Sequence, residues 1–286
     1  MSVTGRMGEG ASHRGEQLRE DVLGAYEATE DPRLREILAA AVRHLHGFVA
    51  EVGLTTEEWQ AGIEFLTAVG RMCTETRQEF ILLSDTLGVS TATEIASANL
   101  AGQATENTVL GPFYVPGAPL REYGDSILED PDEGPRVVVS GRVADLDGHG
   151  IAGATLDIWQ NASNRLYAVQ DPAQTPTNLR GRFLSREDGS FELRTIRPVP
   201  YPIPHDGPVG RMLSAAGRHA WRPAHIHFMV SAPGYRTLVT HVFDSASDYL
   251  DSDTVFGVRD SLVVDFVPMG SDGLLAARFD IALQGE

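Results

Sequence analysis

Lysine is absent from this 286-residue sequence; all 23 basic side chains are arginine. That excludes Schiff-base catalysis through lysine, a phosphate-binding P-loop and a Ser-Lys dyad. Arginine stays charged at any working pH, so it serves as a fixed cation and hardly as an acid or base. There is a single cysteine, Cys73, which rules out an internal disulfide and a thiolate metal cluster. Its neighbours Val69 and Met72 suggest a buried small hydrophobe. No apolar run approaches the twenty or so residues needed to span a bilayer, so no transmembrane helix is expected. The opening stretch MSVTGRMGEGASHRGEQ lacks the apolar segment of a secretory signal, and a cytoplasmic protein with a frayed N-terminus is expected. Cationic surface is scarce: the formal charge is −17, which disfavours nucleic acid and anionic membranes as partners.

What is present divides in two. The first hundred residues carry helical signals. Asp31-Pro32 is a capping side chain followed by a first-turn proline. Leu34, Ile37, Leu38, Ala41, Leu45, Phe48, Val49 and Val52 then follow the spacing of one buried helix face, and Gly53 stops the helix. Thr55 with Glu58 forms a capping box for a second helix that can run to Leu87, ended by Gly88. Along it Trp59, Leu66, Cys73, Phe80 and Leu87 recur every seven residues, a seam for its own domain or for a second subunit. A shorter helix is expected over Thr91–Leu100. The Gly-, Pro- and acid-rich stretch from Gly111 to Arg136 reads as a long loop, with Glu129, Asp130, Asp132 and Glu133 as solvated surface.

From Arg136 the pattern changes to short strands between turns: RVVVSGRV, TLDIWQ, FELRTI, AHIHFMV, TLVTHVF, SLVVDF and ARFDIAL. No long helical stretch separates them. The expected fold is therefore α+β, an N-terminal helical domain (1–104) followed by an antiparallel β-sandwich domain (105–286).

In RPAHIHF, strand alternation turns His225 and His227 to one face, so their tips can share an ion. Two histidines satisfied on a sheet face would fit that pair equally well. Tyr201 sits where Pro198, Pro200, Pro202 and Pro204 stiffen the chain, and Tyr167 follows the TLDIWQ strand. Taken singly, each is most simply a packed aromatic.

Taken together and in order, TLDIWQ, NRLYAVQDP, NLRGRF, DGSFELRTIRPVPYPIP, GRHAWRPAHIHF and SAPGYR resemble the intradiol ring-cleavage dioxygenases. The resemblance covers roughly Thr105 to Phe266, and the helical part is similar to that of the catechol- and hydroxyquinol-cleaving members. It implies a non-haem Fe(III) held by Tyr167, Tyr201, His225 and His227. Ferric iron is hard and phenolate oxygen is a hard anionic donor, so the set is chemically coherent. It further implies that a small aromatic diol binds the iron, that Tyr201 is displaced from it, and that dioxygen opens the ring. Arg222 would stabilise negative charge developing beside the ring. His241 stands where catechol-cleaving relatives usually have glutamine, and is left outside the core set.

LLSDTLG, ENTVLGPFYVPGAP, YPIPHDGPVG and DSDTVFGV resemble the members that cleave hydroxyquinol, benzene-1,2,4-triol. By that resemblance Leu82, Asp85, Val109, Leu110, Gly111, Pro112, Phe113, Ile203, Pro204, Arg222 and Val255 line the substrate pocket. Asp85 would meet the third hydroxyl; a surface acid near a helix end is the plainer alternative. The resemblance also implies a homodimer through the helical region, with a lipid held there in some members. Catechol as substrate, and a metal-free β-sandwich binding module suggested by SGRVADLDGHGIAGATLDIWQ, stand as alternatives.

Overall fold

A computed structural model describes residues 9–75, 77–97 and 104–286. The chain forms two compact units, Met1–Thr67 and Ala68–Glu286. Five helices come first: α1 (Glu9–Ala25), α2 (Pro32–Val52), α3 (Thr56–Arg71), α4 (Glu79–Thr86) and α5 (Val89–Ser97). The chain then gives β1 (Arg136–Ala144), β2 (Thr155–Trp159), β3 (Arg180–Leu184), β4 (Ser190–Ile196) and β5 (Tyr201–Pro202). Next come α6 (Pro208–Ala215), β6 (Trp221–Arg222), β7 (His225–Ser231) and β8 (Leu238–Asp244). It closes with β9 (Val263–Val264), β10 (Val267–Pro268), β11 (Leu275–Arg278) and β12 (Ile281–Ala282).

The local helix signals act as read. The Asp31 carboxylate accepts from the amides of Arg33 and Leu34, and Gly53 closes α2 in the left-handed conformation. Thr55 and Glu58 exchange side-chain-to-amide bonds at the start of α3. Two expectations fail. The predicted helix from Thr55 to Leu87 is two helices, α3 and α4, because Thr74 and Arg77 fold the chain into a turn. The Arg77 amide donates to Thr74 Oγ1 and the Thr74 amide to the Arg77 carbonyl. The seven-residue seam is therefore interrupted, Cys73 is only half-buried, and Trp59, Leu66, Phe80 and Leu87 are exposed. The apolar face of α2 is also not buried: Leu34, Ile37, Leu45, Phe48, Val49 and Val52 lie open. The stripe exists, but the chain by itself does not cover it. The third helix runs from Val89 to Ser97; Leu100 lies outside the described residues, as do residues 1–8 of the expected frayed terminus. Residues from Glu9 on are already helical.

The strands make two five-stranded sheets. One has the order β10-β11-β1-β12, with β4 on the other side of β1; the second has the order β3-β2-β7-β8-β9. Most pairings are antiparallel, but β1 with β11 and β12, and β8 with β9, run parallel, so the sandwich is mixed. Several elements had not been read from the sequence: β3, which starts in NLRGRF, the two-residue β5, β6 and β10, and the short α6, which begins at Pro208 in its first turn. The core takes Val137, Val139, Phe191 and Leu193 from one sheet. Leu156, Ile158, Ile226, Phe228, Val230 and Val242 come from the other.

The segment 111–136 is a packed loop. Ile127 is fully buried within it, and Leu120 and Ser126 bridge to Arg182 and Arg194. Its acids brace neighbouring chain: Asp130 accepts from the Thr175 amide and hydroxyl, Glu129 from Thr177, and Asp132 from the amides of Gly134 and Ser163.

Within the first sheet, close passage of the chain between β11 and β12, and of the β4 ring at Phe191, depends on Gly141 in β1. A Cβ there would lie 1.8 Å from the Phe279 carbonyl oxygen and 2.9 Å from the Phe191 ring. Gly141→Ala is expected to lower the unfolding free energy by about 3 kcal/mol or more, read by denaturant melting; an unchanged midpoint would contradict this packing.

Candidate metal centre

The strand period sets the site. In β7, Ile226, Phe228 and Val230 enter the core, so His225 and His227 turn to the outer face of their sheet. Register extends that face sideways. His227 pairs with Trp159 of β2 on one side and with His241 of β8 on the other. The Trp159 ring stacks on His227 at 4.6 Å between centroids, which holds the imidazole plane.

The tyrosines arrive from loops. Tyr167 follows a turn after β2 in which Arg165 has positive φ. Tyr201 is carried by β5, which pairs with β6 so that Tyr201 lies opposite Arg222. All four rings are buried. The Tyr167 hydroxyl is 3.0 Å from His227 Nε2, and the two Nε2 atoms of His225 and His227 are 3.2 Å apart. The Tyr201 ring lies 5.3 Å from Tyr167 and 5.5 Å from His225 between centroids. The predicted ligand set therefore converges on one point.

Electrostatics decide what that point can hold. His225 Nδ1 is 2.7 Å from the Pro223 carbonyl, which can only accept, so Nδ1 carries the proton and Nε2 presents a lone pair. Burial, with the charge of Arg222 adding to it, keeps His225 well below the ordinary histidine range. Burial and then the neighbouring His225 do the same to His227. Both are neutral at neutral pH, the form that binds a metal. Burial pushes both phenols up, Tyr167 the more strongly. In this pocket the phenols thus keep their protons unless a cation is adjacent. The Nε2 atoms of His225 and His227 face each other at 3.2 Å with the Tyr167 hydroxyl 3.0 Å from the latter, so buried lone pairs point at one another with few protons to share. A hard cation among them resolves that, so the donors fit a metal ion.

The structure adds a third imidazole. One ring nitrogen from each of His225, His227 and His241 lies within 4.8 Å of the others, close enough to share a metal ion. His241 Nδ1 meets Thr108 Oγ1, its Nε2 has no partner, and burial followed by the other two histidines lowers its pKa strongly. Alternation in β8 was legible; the register that sets His241 beside His227 was not.

Beside the donors lies a cavity of about 420 Å³, walled by Leu82, Pro112, Phe113, Ile203 and Pro204 from the expected pocket. Phe113 stacks on Tyr167 at 4.6 Å. Gly111 reaches the imidazole of His227, since a Cβ there would sit 3.6 Å from its Cε1. Val109, Asp85, Arg222 and Val255 are buried but do not line this cavity, and Leu110 is exposed. Asp85 is not a surface acid: it is 2 % exposed, and its Oδ1 has no partner. Burial raises its pKa, against the opposing pull of Ser90 and Arg222.

Sequence reasoning missed several wall residues. Leu166, Val169 and Gln170 flank Tyr167, and Pro202, His205 and Asp206 flank Tyr201, so each tyrosine's loop also builds the wall. That adjacency was available as a signal. Arg77 and Glu79 had none, since they lie where one continuous helix was expected. Arg77 bonds to Glu79 and Asp206 and ties the start of α4 to the loop after β5. Among the described residues, no helix is long and apolar enough to cross a membrane.

Two family models match: "Dioxygenase" over residues 109–285 and "Catechol dioxygenase N terminus" over residues 31–105. The chain is 48% identical over 266 residues to 6-chlorohydroxyquinol 1,2-dioxygenase of Cupriavidus pinatubonensis, covering 93% of this chain and 96% of that protein. It is 49% identical to hydroxyquinol 1,2-dioxygenase of Nocardioides simplex, over 94% of this chain and 95% of that one. Hydroxyquinol 1,2-dioxygenase from Pseudomonas putida superposes with a TM-score of 0.89 at 47% identity, covering 96% of this chain and all of the other. Catechol 1,2-dioxygenase from Acinetobacter gives 0.81 at 29%, covering 94% of this chain and 91% of that one. With its β-unit and its helical region each matched in chain order, and its donors converging as the motifs implied, this chain belongs to the intradiol ring-cleavage dioxygenases.

Proposed function

We propose that this protein uses dioxygen to open hydroxyquinol between its two adjacent hydroxyl-bearing carbons, giving 3-hydroxy-cis,cis-muconate, the tautomer of maleylacetate. The observation that carries the reading is the buried convergence of Tyr167, Tyr201, His225 and His227 next to Arg222 and an apolar cavity. A metal-free binding module has no reason to build it. The hydroxyquinol-cleaving relatives support the choice of substrate.

Tyr167, Tyr201, His225 and His227 would hold a ferric ion, which, when bound, supplies Lewis-acid activation of the diol. The protein's own part is positional and electrostatic. His225 is oriented by the Pro223 carbonyl and His227 by the Trp159 face. Tyr201 oxygen, close to Arg222 and Tyr167, is placed to take up a proton released by the substrate. Arg222 is buried beside the donors, and its cationic form is held by Asp253 against the cost of burial. There it can stabilise negative charge developing on the ring. Phe113, Ile203 and Leu82 exclude water from the cavity. Asp85, though outside the lining of this cavity, has a buried Oδ1 without a hydrogen-bond partner, the atom that a third hydroxyl would meet.

The remaining parts of the proposal concern organisation. Residues 1–104 would form the dimerising helical region and 105–286 the catalytic region, in the cytoplasm. The open apolar stripe of α2 would be covered by a second copy, with a lipid held between. Light scattering is expected to give twice the monomer mass, and Phe48→Glu with Trp59→Glu to shift it toward monomer. A wild-type monomer would refute dimerisation.

The iron-loaded protein should show a visible tyrosinate charge-transfer band and take up oxygen faster with hydroxyquinol than with catechol. A colourless protein inactive after iron loading would remove the dioxygenase assignment, and faster turnover of catechol would remove the triol. Tyr167→Phe should weaken iron binding and alter the band; an unchanged spectrum would exclude it as a ligand.

Asp85→Ala should reduce hydroxyquinol turnover at least ~10-fold more than catechol turnover, as expected when a site polar group loses its partner. The same carboxylate carries a stability signature. Its folded pKa lies above its unfolded one, so ionisation at neutral pH costs stability, and the cost fades as pH falls to the ordinary carboxylate range. Asp85→Asn should therefore raise the melting temperature at pH 7, by an amount that shrinks toward pH 4. A pH-independent difference would contradict the burial assignment.

A further inference from the structure

Arg222 is 31 residues from Asp253, yet the two are side by side and almost wholly buried. The pair is side-on. Arg222 Nε donates to Asp253 Oδ1 at 3.1 Å and Nη2 to Oδ2 at 3.3 Å. Both oxygens are held in turn by backbone amides of the following loop, Oδ1 by Val255 at 3.3 Å and Oδ2 by Gly257 at 3.0 Å. A bidentate guanidinium–carboxylate pair fixes the plane of the cation as well as its place. With the Nε and Nη2 edge taken, Nη1 is the edge left for the site. It lies 3.3 Å from His225 Nε2.

The loop that supplies this clamp is itself tied down. The Thr254 amide donates to the Trp221 carbonyl next to Arg222, and its hydroxyl to the His219 carbonyl. Arg218 donates to the Thr254 carbonyl and to the last turn of α4 at Thr86. Thr91 of α5 donates to the Val255 carbonyl. Phe256 takes a left-handed φ of 57°, a strained state for a bulky residue, and it lets the Gly257 amide turn back to Asp253. Gly257 is also packed against the pair: a Cβ would lie 3.0 Å from Arg222 Nη2 and 3.1 Å from Asp253 Oδ2. A short strained loop closing on one buried carboxylate is more than the fold needs for a surface turn.

We infer that Asp253 is a positioning residue for ring opening: through its side-on pair with Arg222, braced by Gly257, it aims the guanidinium Nη1 edge at the reacting centre. The inference rests on the dioxygenase reading above and deepens it. Arginine is needed at position 222 because the ammonium of a lysine offers no second edge to clamp.

A purely structural ion pair would affect folding and leave the chemistry alone, so the test separates the two. Asp253→Asn keeps the shape and one acceptor but removes the charge. Gly257→Ala keeps the charge but pushes on the pair. Each is made in the iron-loaded holoenzyme, and Asp253→Asn also in an Arg222→Gln background. Oxygen uptake with hydroxyquinol gives kcat and KM, and anaerobic titration with hydroxyquinol, followed at the visible band, gives Kd. Both single variants are expected to lose at least ~10-fold in kcat, with KM and Kd within ~3-fold of wild type, the mark of a misplaced group acting in the transition state. In the Arg222→Gln background, Asp253→Asn should cost less than a further ~3-fold, because a residue acting through Arg222 has nothing left to position. Wild-type kcat in both single variants, or losses that multiply in the double variant, would overturn the inference. If Asp253→Asn does not fold by circular dichroism, Gly257→Ala decides by the same kcat criterion. A wild-type protein that consumes no oxygen with hydroxyquinol or catechol fails the dioxygenase reading itself, a result distinct from either outcome.

Discussion

The alternation of β7 ties stability and chemistry into one strand. Ile226, Phe228 and Val230 must be buried for the sandwich to close, and their burial forces His225 and His227 outward together. A one-residue slip would exchange the two faces, losing the core and the paired imidazoles at once. Register with β2 and β8 then brings Trp159 and His241 to the same face. The histidines are held by main-chain geometry, a firmer support than loop placement alone.

The tyrosines and the arginine are placed differently. Tyr167 and Tyr201 reach the centre from irregular chain, and each brings its neighbours into the cavity wall. Two short strands, β5 and β6, set Tyr201 against Arg222. The site therefore combines rigid strand donors with loop donors whose stiffness comes from proline and from side-chain bracing. Charge inside is kept low: neutral imidazoles and neutral phenols surround one guanidinium, whose charge is balanced by Asp253. Such a pocket favours a cation that the phenols can neutralise.

Much of this was legible locally. Asp31, Pro32, Gly53 and the Thr55–Glu58 box set helix ends by contacts within a few residues, and the structure repeats them. RVVVSGRV, TLDIWQ, FELRTI, AHIHFMV and TLVTHVF followed their composition, whereas SLVVDF keeps only the two residues of β9 and ARFDIAL is split between β11 and β12. The failures share a cause. The continuous helix to Leu87 looked sound by periodicity, but Arg77 finds carboxylates at Glu79 and at the distant Asp206, and the chain turns to reach them. The apolar face of α2 was correctly located; that it stays open in the chain is a property of its surroundings, which periodicity does not contain.

By itself, the sequence determined that His225 and His227 share a face, because side chains on a strand repeat every two residues whatever surrounds them. It also determined, by excluding lysine and paired cysteines, that the fixed cations are arginines and that any metal must rest on nitrogen and oxygen. Only the tertiary structure decided that His241 stands beside that pair, that Asp85 is buried, and that Asp253 grips Arg222. Those three depend on strand register and on contacts between residues far apart in the chain. Such contacts form only when the whole core has packed, and no local spacing encodes them.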